Sequence, residues 1–147
     1  MSGVLWIEQA VTSFIASAAF GLIFNAPRQM LPQCGVVGMV GWLLYRSCAE
    51  MGLEAIPSTL IAVIIVAVIS QLFAKLYKTP IIVFSVAGII PLVPGGIAYD
   101  AMRRVVENDY DVAVQLGVKA FMISGTIAIG LVLSEVVNQT IRRMERL

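Results

Sequence analysis

The sequence contains no histidine. That absence removes imidazole proton relays, most transition-metal sites and every nucleophile–histidine pair. Charge is scarce too: 13% of residues are charged, against about 25% in soluble domains. The ten basic and nine acidic residues leave a net charge of +1, so no basic excess points to nucleic acid. Few acids fall inside apolar stretches, and a membrane-embedded enzyme would need several clustered. Neither catalysis nor a metal or other cofactor is expected. The two cysteines, Cys34 and Cys48, would stand about 21 Å apart on one helix, too far for a mutual disulfide. They read as small apolar packing residues. The N-terminus has no positive stretch before its first apolar run. A cleaved signal peptide is therefore not expected, and the first segment reads as a retained span.

Apolar sequence fills the space. The chain of 147 residues is 59% hydrophobic, with mean hydropathy +0.92. An all-α integral membrane protein follows, with residues 1–147 as a single transmembrane domain in the lipid bilayer. Charges punctuate five apolar segments, approximately residues 4–24, 33–49, 57–75, 80–97 and 112–135. Each is close to the roughly 20 residues a spanning helix needs. Pro27 pushes Ala26 out of the helical region and ends the first segment. Pro32 keeps the second from starting early, and Pro57 and Pro80 open the third and fourth in a first helical turn.

Lysine and arginine bias sets orientation. With five spans, Arg28, Lys75, Lys78, Arg142, Arg143 and Arg146 share one side, against Arg46, Arg103 and Arg104 on the other. The richer side is expected to be cytoplasmic, with the N-terminus outside and the C-terminus inside. A re-entrant fourth segment would leave four spans and no clear bias.

The fourth segment is the unusual one. Gly88-Ile89-Ile90-Pro91-Leu92-Val93-Pro94-Gly95-Gly96 cannot form an uninterrupted helix. Proline removes a backbone donor and clashes with the preceding turn, and glycine adds conformational freedom. In lipid, broken backbone is tolerated where it is buried in protein or lines a polar cavity. Two half-helices, about 81–90 and 97–107, are expected around a break at Pro91–Gly96 in the outer half of the bilayer. The second half-helix would present free N–H groups and a positive dipole end to an anion. The simpler reading is a kink that shapes packing.

Candidate substrate-binding residues are therefore Pro91, Pro94, Gly95, Gly96, Tyr99 and Arg103. Asp100 stands three and four residues before Arg103 and Arg104, so a local ion pair competes with substrate contact. Glu8 and Lys119 are the candidate intramembrane charges for coupling, and they should approach each other if the first and last helices are neighbours. Their simpler reading is snorkelling toward the headgroups. Glu135 reads as interfacial. Small residues recur at helical spacing: Ser13, Ser17 and Gly21; Gly35, Gly38 and Gly41; Thr126, Gly130 and Ser134. They suit close helix approach, within one bundle or against another subunit. A homo-oligomer stays open on that ground.

The stretches Phe24-Asn25-Ala26-Pro27-Arg28, Gly41-Trp42, Lys78-Thr79-Pro80 and Gly88 through Tyr99 resemble the threonine/serine exporter family. The chain is most similar to the separate small subunit, which corresponds to the C-terminal membrane domain of single-chain members. The resemblance implies an inner-membrane exporter of small amino acids or small carboxylates such as succinate, driven by the proton-motive force. It implies a larger membrane subunit as partner. A non-transporting scaffold or assembly subunit is the alternative, and it predicts a break packed closed with no cavity beside it.

Overall fold

The computed structural model describes residues 3–144. Among them every regular element is helical: α1 (Gly3–Ile23), α2 (Leu31–Glu50), α3 (Ala55–Tyr77), α4 (Ile81–Ile89), α5 (Gly95–Val106) and α6 (Tyr110–Met144), with 3₁₀ turns at Arg28–Met30 and Ile90–Leu92. The chain is an all-α membrane bundle. Arg146, counted above among the inner-side cations, lies outside the described residues.

Four helices end by one device. Asn25, Gly52, Lys78 and Asn108 take positive φ of 59°, 88°, 50° and 61°. The next residue's N–H then turns back to the helix: Ala26 to the Gly21 carbonyl (2.9 Å), Leu53 to Cys48 (3.1 Å), Thr79 to Ala74 (3.2 Å) and Asp109 to Arg104 (2.9 Å). These are left-handed C-terminal caps that satisfy carbonyls the helix leaves free. Pro27 and Pro80 follow two residues after their caps. The first helix thus ends on Asn25, and Pro27 only blocks its continuation. Pro32 does not delay α2 either; it sits inside the first turn, where no N–H is needed.

Helices α1, α3 and α6 are each long and apolar enough to cross a membrane, and α4 with α5, bent by 47°, makes a fourth if the pair is one span. The five spans read from the sequence exceed this by α2. Its 20 residues would reach about 30 Å, but they include Gln33, Arg46, Glu50 and three interrupting glycines. Its position accounts for this. α2 packs against α1, α3 and α4, so protein surrounds much of it and lipid sets fewer demands on its composition. The buried core joins Cys34 and Val37 of α2, Ala62, Val63 and Val66 of α3, Phe84 and Ala87 of α4, Leu92, and Ile123 and Ile127 of α6.

Small residues hold the helices close, as their spacing suggests. A Cβ on Gly38 would overlap Ser17 of α1, and one on Gly88 would lie 2.5 Å from Val37 and 2.9 Å from Val66. The Ser13, Ser17 and Gly21 face of α1 is buried. Gly130 and Ser134 are buried on α6, whereas Thr126 only bonds its own helix at the Met122 carbonyl (2.8 Å).

The last span also differs from expectation. α6 has 35 residues, about 52 Å at 1.5 Å per residue, against a hydrocarbon core of about 30 Å. α5 packs along α6 after a tight turn at 107–109, so the two form a hairpin that overhangs the bundle. Asp100, Arg103, Arg104, Glu107, Asp109 and Asp111 all sit on it.

Candidate functional site

The helix breaks where the prolines remove donors. The Ile90 N–H reaches only the Ala87 carbonyl, a 3₁₀ contact, and Pro91 has no N–H to offer. The Val93 N–H donates to Ile90 (3.3 Å), and the Gly95 N–H donates to Val93 (2.8 Å). Pro94, at φ −78° and ψ 46°, sits at the centre of an inverse γ-turn. α5 then begins with no side-chain cap. Its first helical bond runs from the Ala98 N–H to the Pro94 carbonyl (3.0 Å). Among the described residues the Gly96 and Ile97 N–H groups have no acceptor. Two orphan donors at a helix start carry partial positive charge and suit an oxyanion.

The residues that carry them, Gly96 and Ile97, line a cavity. It measures about 190 Å³ and is lined by Trp42 and Tyr45 of α2, Thr59 of α3, the break, Gly96, Ile97 and Ile123. Sites for drug-sized ligands run roughly 300–1,000 Å³, so this one suits a smaller solute. Trp42 and Tyr45 stack with centroids 5.5 Å apart. The Thr59 hydroxyl donates to the Ala55 carbonyl (2.7 Å), which leaves its oxygen free to accept.

Trp42 and Pro91 also form one wall of a second cavity, about 240 Å³, whose other side is Gln9, Thr12, Ser13 and Ala16 of α1. The Trp42 indole N–H donates to the Gln9 side-chain oxygen at 2.6 Å. This bond fixes the ring that separates the two spaces. Gln9→Leu is expected to leave the indole donor unsatisfied, at a cost of about 1–3 kcal/mol. Thermal unfolding in detergent, read by tryptophan fluorescence in a Trp6→Phe background, should show the loss. An unchanged melting curve and emission maximum would mean that the bond does not hold the ring.

Of the residues singled out from the sequence, Pro91, Pro94 and Gly96 share the cavity wall, and Gly95 opens the helix beside them. Tyr99 and Arg103 do not join them. Tyr99 is 69% exposed, and Arg103 is exposed and bonded to Glu107 (2.9 Å). Asp100 is not the arginines' partner: Arg104 pairs with Glu107 (3.4 Å) and Asp109 (3.7 Å). Glu8 and Lys119 are exposed and make no ion pair among the described residues. The condition for their approach fails, because α1 packs on α2 and α4 while α6 packs on α3 and α5. Lys119 instead lines a larger groove of about 630 Å³ with Gln115 of its own helix and Glu54 at the start of α3.

Sequence reasoning missed Trp42, Tyr45, Thr59 and Gln9. The available signal was the pair of amphipathic aromatics at i and i+3 in an otherwise small-residue helix.

No solved structure matches the chain. A family model described as "Threonine/Serine exporter, ThrE" matches residues 9–137. The match takes in α1 from Gln9, the break, the cavity-lining residues and most of α6. On that match the chain belongs to the threonine/serine exporter family, and its function is of the membrane-transport kind.

Proposed function

We propose that this chain is the small subunit of a two-component exporter of threonine and serine, or of small carboxylates such as succinate, in the cell's inner membrane. The carrying observation is the uncapped start of α5 on the wall of a small cavity. A substrate carboxylate accepts from the Gly96 and Ile97 N–H groups, and Trp42, Pro91 and Ile123 enclose the rest of the solute. The site is half of a whole one. A larger membrane subunit of the same family supplies the facing surface, and relative motion of the two halves alternates access. Charge bias favours an external N-terminus and a cytoplasmic C-terminus, with the α5–α6 hairpin on the outside.

A scaffold or assembly role would have the break packed shut. The cavity against Pro91, Pro94 and Gly96 counts against it.

The test is co-expression with the larger subunit, with efflux of serine, threonine and succinate measured from loaded cells. Efflux of at least one should require both chains. Equal efflux from this chain alone would overturn the half-site reading. No efflux of any of the three with both chains present would overturn the exporter assignment.

A further inference from the structure

α4 is a nine-residue half-helix with a cavity at each end. One is the site at the break. The other, about 310 Å³, lies between the first turns of α4 and the α3 and α6 helices. Its walls are apolar except for Gln71, Ser85, Ser134 and Glu135. The Gln71 amide donates to the Ser134 carbonyl (3.2 Å) and hydroxyl (3.3 Å), which ties α3 to α6 beside the space. The Gln139 amide donates to Glu135 Oε1 at 3.0 Å.

Glu135 lies within α6, a helix long and apolar enough to cross a membrane, well before its end at Met144. Val132, Leu133, Val136, Val137 and Ile141 are all exposed, so apolar surface flanks Glu135 on both sides, before the exposed Gln139, Thr140 and Arg142. The next cation along α6, Arg142, is about 10 Å further at 1.5 Å per residue. On α3 the nearest cations are Lys75, one turn beyond Gln71, and Lys78 at the helix end. α4 brings Ile81, Ile82, Ser85 and Val86 to the cavity, none of them charged. Among the described residues no cation pairs with Glu135. A carboxyl inside a spanning helix, beside a cavity whose other polar groups are an amide and two hydroxyls, is a functional candidate by its position.

We infer that Glu135 is a proton-binding residue of the transport cycle, and that α4 links it to the substrate cavity. This rests on the exporter reading above. The carboxylate forms an O–H bond with a proton from water on one side and returns that proton to water on the other. Charging and discharging Glu135 alters the environment of the first turn of α4. The other end of that rigid nine-residue piece is the 3₁₀ turn that carries Pro91 and Leu92 into the substrate cavity. With no histidine in the chain, a carboxyl is the natural group for this task.

The test uses the complex with the larger subunit, reconstituted into vesicles. Glu135→Gln is expected to lower transport driven by a pH gradient at least about tenfold, while substrate counterflow stays within about twofold of wild type. In the wild-type complex a hydrophobic carbodiimide should modify Glu135, less as pH rises, because the reagent needs the protonated acid. PH-gradient transport at the wild-type rate in Glu135→Gln would overturn the inference, as would absence of carbodiimide adduct at every pH. If Glu135→Gln loses both modes, Glu135→Asp decides. Restored gradient-driven transport with a shifted pH profile supports the inference, and continued loss of both overturns it. Absence of counterflow in the wild-type complex would instead sink the exporter reading, and the labelling result would still report on Glu135.

Discussion

Gly96→Leu is expected to fold normally and to abolish efflux. A Cβ at Gly96 meets nothing within 4 Å, and Gly96 does not take a positive φ. The fold therefore does not require glycine there. On helix propensity alone the change should help, since glycine costs about 0.8–1 kcal/mol relative to good helix formers. The side chain would project from a residue that lines a cavity of about 190 Å³, and it would cover the two orphan donors. Hydrogen bonds from such donors to a carboxylate are worth about 1.5–3 kcal/mol, which corresponds to roughly ten- to hundredfold in affinity. Loss of cavity volume adds to that. Gly96→Ala should give a smaller fall in the same direction. The measurement pairs thermal unfolding in detergent with efflux from cells co-expressing the larger subunit. A melting temperature at or above wild type with efflux near background is the expected combination. Wild-type efflux in Gly96→Leu would remove the carboxylate site from the α5 start.

The sequence carried the break well because its cause is covalent. Pro91 and Pro94 lack donors wherever they are placed, so the chain must leave the helix between them. The helix ends were harder to assign correctly. Asn25 and Asn108 are residue types that tolerate left-handed backbone, but Lys78 is not a usual choice, and only the bond from Thr79 to Ala74 identifies it as a cap. The fate of Arg104 shows the same limit. Asp100 to Arg104 is the favourable i, i+4 order. The cap at Asn108, however, folds the chain back so that the Asp109 N–H bonds the Arg104 carbonyl, and that brings the Asp109 carboxylate within reach of its guanidinium.

Which face of α5 turns inward was likewise not legible. α5 buries Ala101 and half-buries Ile97, one turn apart, and this leaves Tyr99 on the far side. An aromatic residue next to a proline-glycine break invites a binding role, but small Ala101 is what lets α5 lie close to α6. The pair of Gln9 and Trp42 is separated by 33 positions. No local pattern joins them; the packing register of α1 on α2 does, and that register is set by contacts such as Ser17 on Gly38.

Gly38→Val should be the most damaging single change in the bundle. A Cβ at Gly38 would overlap the Ser17 hydroxyl and lie 2.5 Å from Ser17 Cβ. Ser17 is completely buried and has no room to retreat. In lipid the helices have no hydrophobic drive toward each other, so close contact itself holds them. Overpacking costs about 1–3 kcal/mol, and separating α1 from α2 adds the loss of two neighbouring contacts. Gly35 lies against the Phe14 ring, and Gly21 lies against Leu31 and Cys34. The Gln9–Trp42 bond crosses the same interface, so the wall between the two cavities should fail with it. Gly117→Ala is the control, because a Cβ there meets nothing within 4 Å, and it should melt at or above the wild-type temperature. The milder Gly38→Ala combined with Ser17→Gly should recover much of the loss, since the overlapping hydroxyl and Cβ are gone. A double-mutant cycle of melting curves in detergent then gives a coupling of about 0.5–3 kcal/mol for residues in contact. Additive effects, or a Gly38→Val protein as stable as wild type, would show that α1 is held by something other than this contact. The Trp42 wall would then need a different support.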